Sequence, residues 1–369
     1  MNLFSYIDKY GDCSFEEMVF TEVDNIIFSS LSYINFNGIV SSNKYKKLTI
    51  KEVGDKYFEL YPKKKKDLLA VRQAVKMLRY IKDTKRYGNL LLYSYIYEKG
   101  REHQFGALTI EINSKLVYVS FEGTDHLISG WKEDFMMTYL FPIKSQRRAI
   151  DYINRNFFFS NKKIILGGHS KGGNLALVAG MYTNFLIRDR IIQVYNNDGP
   201  GLLVEQFESK QYNKVKKKLI HIIPNYSIVG LLLLHSEDYI IVRSAKKGVM
   251  AHDLNNWVVK DKELMRTELD SYSKALDNEI IKWLKKYERK ERKRFVFAMF
   301  NIFERANVTS LMDIFENKKI IFSLISNSKD LSLEDRKMLK DFIGMIFKCF
   351  KDVKKEELMS LIEKKIKIS

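Results

Sequence analysis

Gly168-His169-Ser170-Lys171-Gly172 has the spacing Gly-x-Ser-x-Gly, in which a serine hydroxyl is held for attack on a carbonyl carbon. Ordinary glycine and serine usage produces this pattern in roughly one chain in ten of this length, so its surroundings decide its meaning. The run Lys163–Leu166 before it has strand character, and the small-residue stretch Asn174–Gly180 after it has helical character. Such a strand–turn–helix lifts the hydroxyl above the sheet edge. Gly168 and Gly172 allow backbone and helix to approach closely, and the helix N-terminus turns its positive end toward a developing oxyanion.

A serine nucleophile needs a base, an acid and two oxyanion donors. The backbone N–H of Lys171, next after the serine, supplies one donor. A second is expected from a loop after an earlier strand, and Gly123-Thr124, ahead of Trp131 and Asp134, follows the strand-like Leu116–Phe121. Of six histidines, His169 lies inside the turn, His103 and His126 precede the serine, and His221 falls within a strand-like run. His235 and His252 remain as candidates for the base. Asp198 follows the strand-like Ile191–Tyr195, 28 residues past the serine, and opens Asp-Gly-Pro-Gly. It is a candidate acid or a turn residue. Asp238 and Asp253 are further candidates for the acid.

Phe-Glu-Gly-Thr-Asp, then Gly-Trp-x-x-Asp, then Gly-His-Ser-x-Gly-Gly, resembles class 3 (fungal-type) lipases. That resemblance implies that Thr124 contributes to the oxyanion hole, that Trp131 and Asp134 brace its loop, and that His235 matches a non-catalytic position. A closer resemblance, through YGD…VDNIIFSSLSYINF, NNDGPGL and GVMAHDLNNW, is to the Mbeg-like family of bacterial lipase-like hydrolases. It spans about Phe4 to Trp257 and implies His252 as the base. The stretch IPNYSIVG departs from the class 3 pattern by placing Ser227 where those lipases have their aspartate. Asp198 is the expected replacement, as some lipases carry their acid after the preceding strand.

These residues need a scaffold. Apolar spacing from Phe15 to about Thr84 is mostly helical, with the Lys63–Lys66 run starting its second main helix. Strands are expected at Leu91–Tyr97, Phe105–Ile112 and Leu116–Phe121, the last two joined by a hairpin at Asn113-Ser114. Helix then alternates with strand: Ser145–Phe157, Lys163–Leu166, Gly172 to about Leu186, Ile191–Tyr195, Lys218–Ile223 and Tyr239–Arg243. That order predicts an α/β-hydrolase fold, a mostly parallel central sheet flanked by helices. Everything after Trp257 reads as helix, at Leu264–Lys286, Phe295–Phe303, Leu311–Leu324 and Leu333–Phe350. The expected division is a hydrolase domain over residues 1–278 and a helical C-terminal subdomain over 279–369.

Composition narrows the function classes. A hydrophobic fraction of 46% with only four prolines argues against a disordered chain. The N-terminus lacks the pattern of a secretory signal, and the longest apolar run, Ile228–Leu234, is too short to span a bilayer, so a cytoplasmic protein is expected. The two cysteines lie at opposite ends of the chain, and histidines and acids do not cluster at ligand spacing, so no metal or organic cofactor is implied. A net charge of +18 attracts polyanions. No nucleic-acid motif accompanies it, which leaves peripheral contact with the anionic inner face of a membrane, or simply solvated lysine-rich helix faces. Two functions follow: a serine hydrolase of carboxylic esters, lipid esters foremost, acting through an acyl-enzyme on Ser170, or an inactive hydrolase-fold protein that binds anionic membrane lipid.

Overall fold

The computed structural model describes residues 1–62, 69–100, 103–125, 128–236, 238–306, 308 and 331–349. The Lys63–Lys66 run and the helix expected at Leu311–Leu324 lie outside them. Four helices come first: α1 (Leu3–Tyr10), α2 (Glu22–Leu31), α3 (Ile50–Leu60) and α4 (Leu69–Ile81). The short β1 (Leu48–Thr49) and the longer β2 (Leu91–Lys99), β3 (Gln104–Asn113) and β4 (Leu116–Phe121) pair antiparallel. The Asn113 side chain closes the β3–β4 turn by accepting the Lys115 N–H. Beyond β4 the added strands are parallel: β5 (Lys163–His169), β6 (Ile191–Asn197), β7 (Leu219–Pro224) and β8 (Ile240–Val242). The result is an α/β-hydrolase fold.

Strand order in this sheet follows chain order from β1 to β8. Each new parallel strand is therefore laid down on the same side of the last one. Right-handed crossovers then send the connecting helices to one face. On that face α6 (Lys144–Phe157) and α7 (Lys171–Tyr182) bury Val117, Val119, Ile164, Leu166 and Val194. The alternate residues Tyr118, Ile165, Tyr195 and Ile222 point the other way, where α1 to α4 cover them. The N-terminal helices thus close the face that the crossovers leave bare.

That cover is anchored by charge. Arg86, after α4, and Asp24, on α2, are both fully buried and meet through two hydrogen bonds, Nε to Oδ1 at 2.9 Å and Nη2 to Oδ2 at 2.6 Å. Tyr87 adds a third to Asp24 at 2.7 Å, and the other guanidinium hydrogens reach the carbonyls of Cys13, Met18 and Val19. From the same helix, Asn25 and Ser29 bond Asn197 at the end of β6, and Asn197 donates to the Gly168 carbonyl at 3.0 Å. The N-terminal layer therefore fixes the strand ends next to Ser170 and Asp198.

Two segments differ from the sequence expectation. The helix expected to run from Gly172 to about Leu186 ends at Tyr182, and the short α8 (Phe185–Arg188) follows. Asn154 on α6 causes the break, its side-chain oxygen accepting from the Thr183 hydroxyl and the Asn184 N–H. In place of continuous helix from Leu264 there is a two-stranded hairpin, β9 (Val259–Lys260) with β10 (Glu263–Leu264), and helix starts only at Ser271. Long-range partners override the local helical pattern here: the Val259 N–H bonds the Met1 carbonyl, and the Leu264 N–H bonds the Glu22 carboxylate. The later helices, α11 (Ser271–Lys286), α12 (Arg289–Arg305) and α13 (Leu333–Cys349), pack together, with α12 against α5 (Ile128–Met136). Two short helices, α9 (Val204–Phe207) and α10 (Lys210–Lys216), lead into β7.

Breaking a buried ion pair on one side strands the other charge, at a cost of about 3–5 kcal/mol. Asp24→Asn is accordingly expected to lower the urea unfolding midpoint sharply. Lys51→Ala, which removes the exposed Lys51–Asp83 pair, is expected to leave it unchanged.

Candidate active site

Ser170 sits between the end of β5 and the start of α7 at φ 57° and ψ −132°, a left-handed conformation that costs a residue with a Cβ. Its N–H bonds the Asn197 carbonyl, and its own carbonyl accepts from the Gly173 N–H, both at 2.9 Å. The flanking glycines are required by space. A Cβ on Gly168 would run into the Gly172 carbonyl, and one on Gly172 into the Phe121 carbonyl. Ser170 is only 8% exposed.

Asp198 is one residue past β6, fully buried and also at positive φ, 50°. Its Oδ2 lies 2.6 Å from His252 Nδ1. Its Oδ1 accepts from the Ser227 hydroxyl and from the Gly230 N–H at 3.0 Å. Ser227, which stands where class 3 lipases place their aspartate, is thus in direct contact with Asp198. The other candidates lie apart. His235 is 3.4 Å from Asp277 on α11, Asp238 is highly exposed beside Lys216, and Asp253 caps a short helical turn through the Asn255 N–H.

His169 links the two halves of this arrangement. Its Nε2 is 2.7 Å from the His252 carbonyl and its Nδ1 is 2.7 Å from the Tyr33 hydroxyl. Burial, and then the neighbouring His252, push its pKa well below the ordinary histidine value, so the ring is neutral. A carbonyl can only accept, so Nε2 carries the proton and Nδ1 accepts from Tyr33. The segment bearing His252 is tied in this way to the residue before Ser170, with the two imidazole rings 4.3 Å apart. No hydrogen bond joins the Ser170 hydroxyl to His252, and bonds of this kind commonly tighten around a substrate.

The loop after β4 emerges beside this turn, because Phe121 pairs in register with Gly168. A Cβ on Gly123 would strike the Tyr33 hydroxyl and the His169 carbonyl, so the loop backbone presses against the turn. Thr124 donates its hydroxyl to Asp134 Oδ2 at 2.5 Å, and Trp131 packs into the apolar cluster shared with α12. The Thr124 loop is thereby braced against α5, which carries Trp131 and Asp134.

The model of the Mbeg1-like family matches residues 81–301, more than half of the chain. The chain belongs to the Mbeg1-like family. Among solved structures, one titled "Crystal structure of M37 lipase" is similar at 14% identity and a TM-score of 0.31, covering 56% of this chain and 68% of that one. No curated protein sequence matches.

In this Mbeg1-like chain the motif residue Lys171 has a second feature that sequence reasoning missed. Its side chain is completely buried and points away from the hydroxyl, with Nζ 3.0 Å from the Gln104 carbonyl and 3.1 Å from Glu133 Oε2. Glu133 also accepts the backbone N–H groups of Gln104 and Ser145. Burial works against the charged form of Lys171, but Asp134 and Glu133 outweigh it and raise its pKa. Glu122 is a third carboxyl acting on the ammonium. Burial pushes Glu122 up to about 8 and Asp134 up to about 7, more than Lys171 pulls them down. The elbow and the Thr124 loop are joined beneath the surface by this cluster. Glu122, Glu133 and Asp134 within 13 residues, after a buried strand, were the available signal.

The cluster makes stability depend on pH. In the unfolded chain Glu122 and Asp134 ionise near their ordinary values of 4.5 and 3.8, whereas the folded chain holds both protons to about pH 7 to 8. Between those limits the unfolded state binds fewer protons, so stability falls as pH rises through the window. Glu122→Gln is expected to flatten that fall in urea unfolding series at about pH 5 and about pH 8. An unchanged fall in the variant would contradict the assignment.

Proposed function

We propose that the chain is a serine hydrolase of carboxylic esters. The observation that carries this reading is the 2.6 Å contact between His252 Nδ1 and the buried Asp198, on a segment that His169 ties to the Ser170 turn. Ser170 Oγ attacks the ester carbonyl carbon while His252 Nε2 takes its proton. The N–H groups of Lys171 and Thr124 hold the oxyanion. His252 returns the proton to the leaving alkoxide, releasing an alcohol and leaving an acyl group on Ser170. Water, deprotonated by His252, then attacks the acyl carbon, and His252 returns the proton to Ser170 Oγ as the acyl–Oγ bond breaks and the acid leaves. Asp198 keeps the His252 proton on Nδ1 and stabilises the imidazolium, and its bonds from Ser227 and Gly230 hold it in orientation.

Ester substrates with an acyl chain fit best, because the apolar run Ile228–Leu234 begins beside Asp198. Its Ile228 and Leu232 pack with Leu276 and Ile280 of α11, so apolar surface continues from Asp198 toward that helix. Ser227 in place of the class 3 aspartate is the feature that favours an inactive protein. Its bond to Asp198 supports the active reading, in which Asp198 supplies the carboxylate from the preceding strand.

Turnover of p-nitrophenyl acyl esters tests the reading. Ser170→Ala and His252→Ala are expected to abolish it, and Asp198→Asn to lower kcat by about 10³–10⁴-fold. Asp198→Ser combined with Ser227→Asp returns a carboxylate to the same place and is expected to recover part of that loss. Hydrolysis that survives Ser170→Ala in folded protein would reject the mechanism.

A further inference from the structure

Five large apolar side chains are exposed together at the end of the sheet opposite Ser170. Phe158 and Phe159 follow α6, Phe185 and Leu186 lie on α8, and Ile192 is near the start of β6. Phe159 is 89% exposed, Phe185 61% and Leu186 53%. They form one patch, because Arg190 runs between the two segments, donating Nη2 to the Phe157 carbonyl at 2.7 Å and Nε to the Leu186 carbonyl at 3.3 Å. Phe158 and Phe159 pack edge to face at 4.9 Å, so they stand out as a unit.

The rim of the patch is cationic. Beside Phe185 a shallow depression is lined by Arg188, Lys214 and Lys218, with Asp189 as its one acid. Lys163 is exposed at the start of β5, four residues past Phe159. Among the described residues, Lys163, Arg188, Lys214 and Lys218 make no ion pair with a carboxylate. Arg188 and Lys218 each give one donor to a backbone carbonyl, of Met181 and Arg188, but no carboxylate cancels the four charges, which can act on an external anion. Aromatic side chains that project from a basic rim suit the boundary of an anionic bilayer, where rings enter the headgroup region and ammonium or guanidinium groups meet phosphates.

We infer that this face is where the protein docks on an anionic phospholipid bilayer. Charge complementarity selects that occupant over a second copy of the chain, since two such faces would bring like charges together. β5 runs from Lys163 to His169, so the docking face and Ser170 lie at opposite ends of a strand about 20 Å long. The Ser170 end is therefore directed away from the supporting bilayer, and esters reach it from the aqueous side.

Co-sedimentation with phosphatidylcholine vesicles, with and without phosphatidylserine, tests this directly. Binding is expected only to the phosphatidylserine vesicles and is expected to weaken as salt is raised. Phe159→Ser with Phe185→Ser, and separately Arg188→Glu with Lys214→Glu, are each expected to weaken it by about tenfold or more. Thermal unfolding checks that both variants fold, and Ser170→Ala is expected to bind as the parent does. Absence of binding to phosphatidylserine vesicles overturns the inference, as does binding that neither double variant reduces. Self-association abolished by Phe159→Ser in a protein that ignores vesicles overturns it in favour of a dimer face.

Discussion

Ser170 occupies a backbone conformation that costs about 1–3 kcal/mol, and the surrounding structure is organised to hold it there. The close approach of Phe121, Gly168 and Gly172 leaves the chain no room to relax. Asn197 fixes the strand end from one side through the Gly168 carbonyl, and behind it stands α2, itself anchored by the Asp24–Arg86 pair. Lys171 and Glu133 secure the other side, tying the first residue of α7 to the loop that carries Thr124. His169 completes the enclosure by bonding the segment that bears His252. Four separate regions of the chain thus bear on one strained serine.

Much of this was legible in the sequence where local spacing carries the information. The strands from Leu91 to Val242 and the elbow glycines follow from alternation and from Gly-x-Ser-x-Gly, since a buried strand and a tight turn each restrict the residues they accept. Ser170, Asp198 and His252 were chosen from motif, position and resemblance, and the fold brings Asp198 and His252 together beside the Ser170 turn. What escaped depends on long-range contact. A lysine within a turn reads as a surface charge, and nothing adjacent to Lys171 in sequence announces Glu133. The hairpin at Val259–Leu264 reads as helix because its partners, Met1 and Glu22, lie more than 240 residues away. His169 was passed over for the same reason, its role being set by Tyr33 and by the carbonyl of His252.

The sheet separates two kinds of chemistry. At the ends of the parallel strands that carry Ser170 and Asp198, buried polar groups such as Asp198, His252 and Ser227 bond one another, and the apolar run Ile228–Leu234 packs on α11. At the opposite ends, aromatic side chains are exposed beside a basic rim. The large positive charge of the chain therefore has a local expression that composition alone did not reveal.

The central claim is that Ser170 is an activated nucleophile. Reaction of the purified protein with a fluorophosphonate, followed by peptide mapping, measures that property without knowledge of the substrate. The account predicts a single adduct on Ser170 that disappears in Ser170→Ala and in His252→Ala. Folded protein that stays unmodified with detergent or lipid present, or that carries the adduct on another residue, would contradict it.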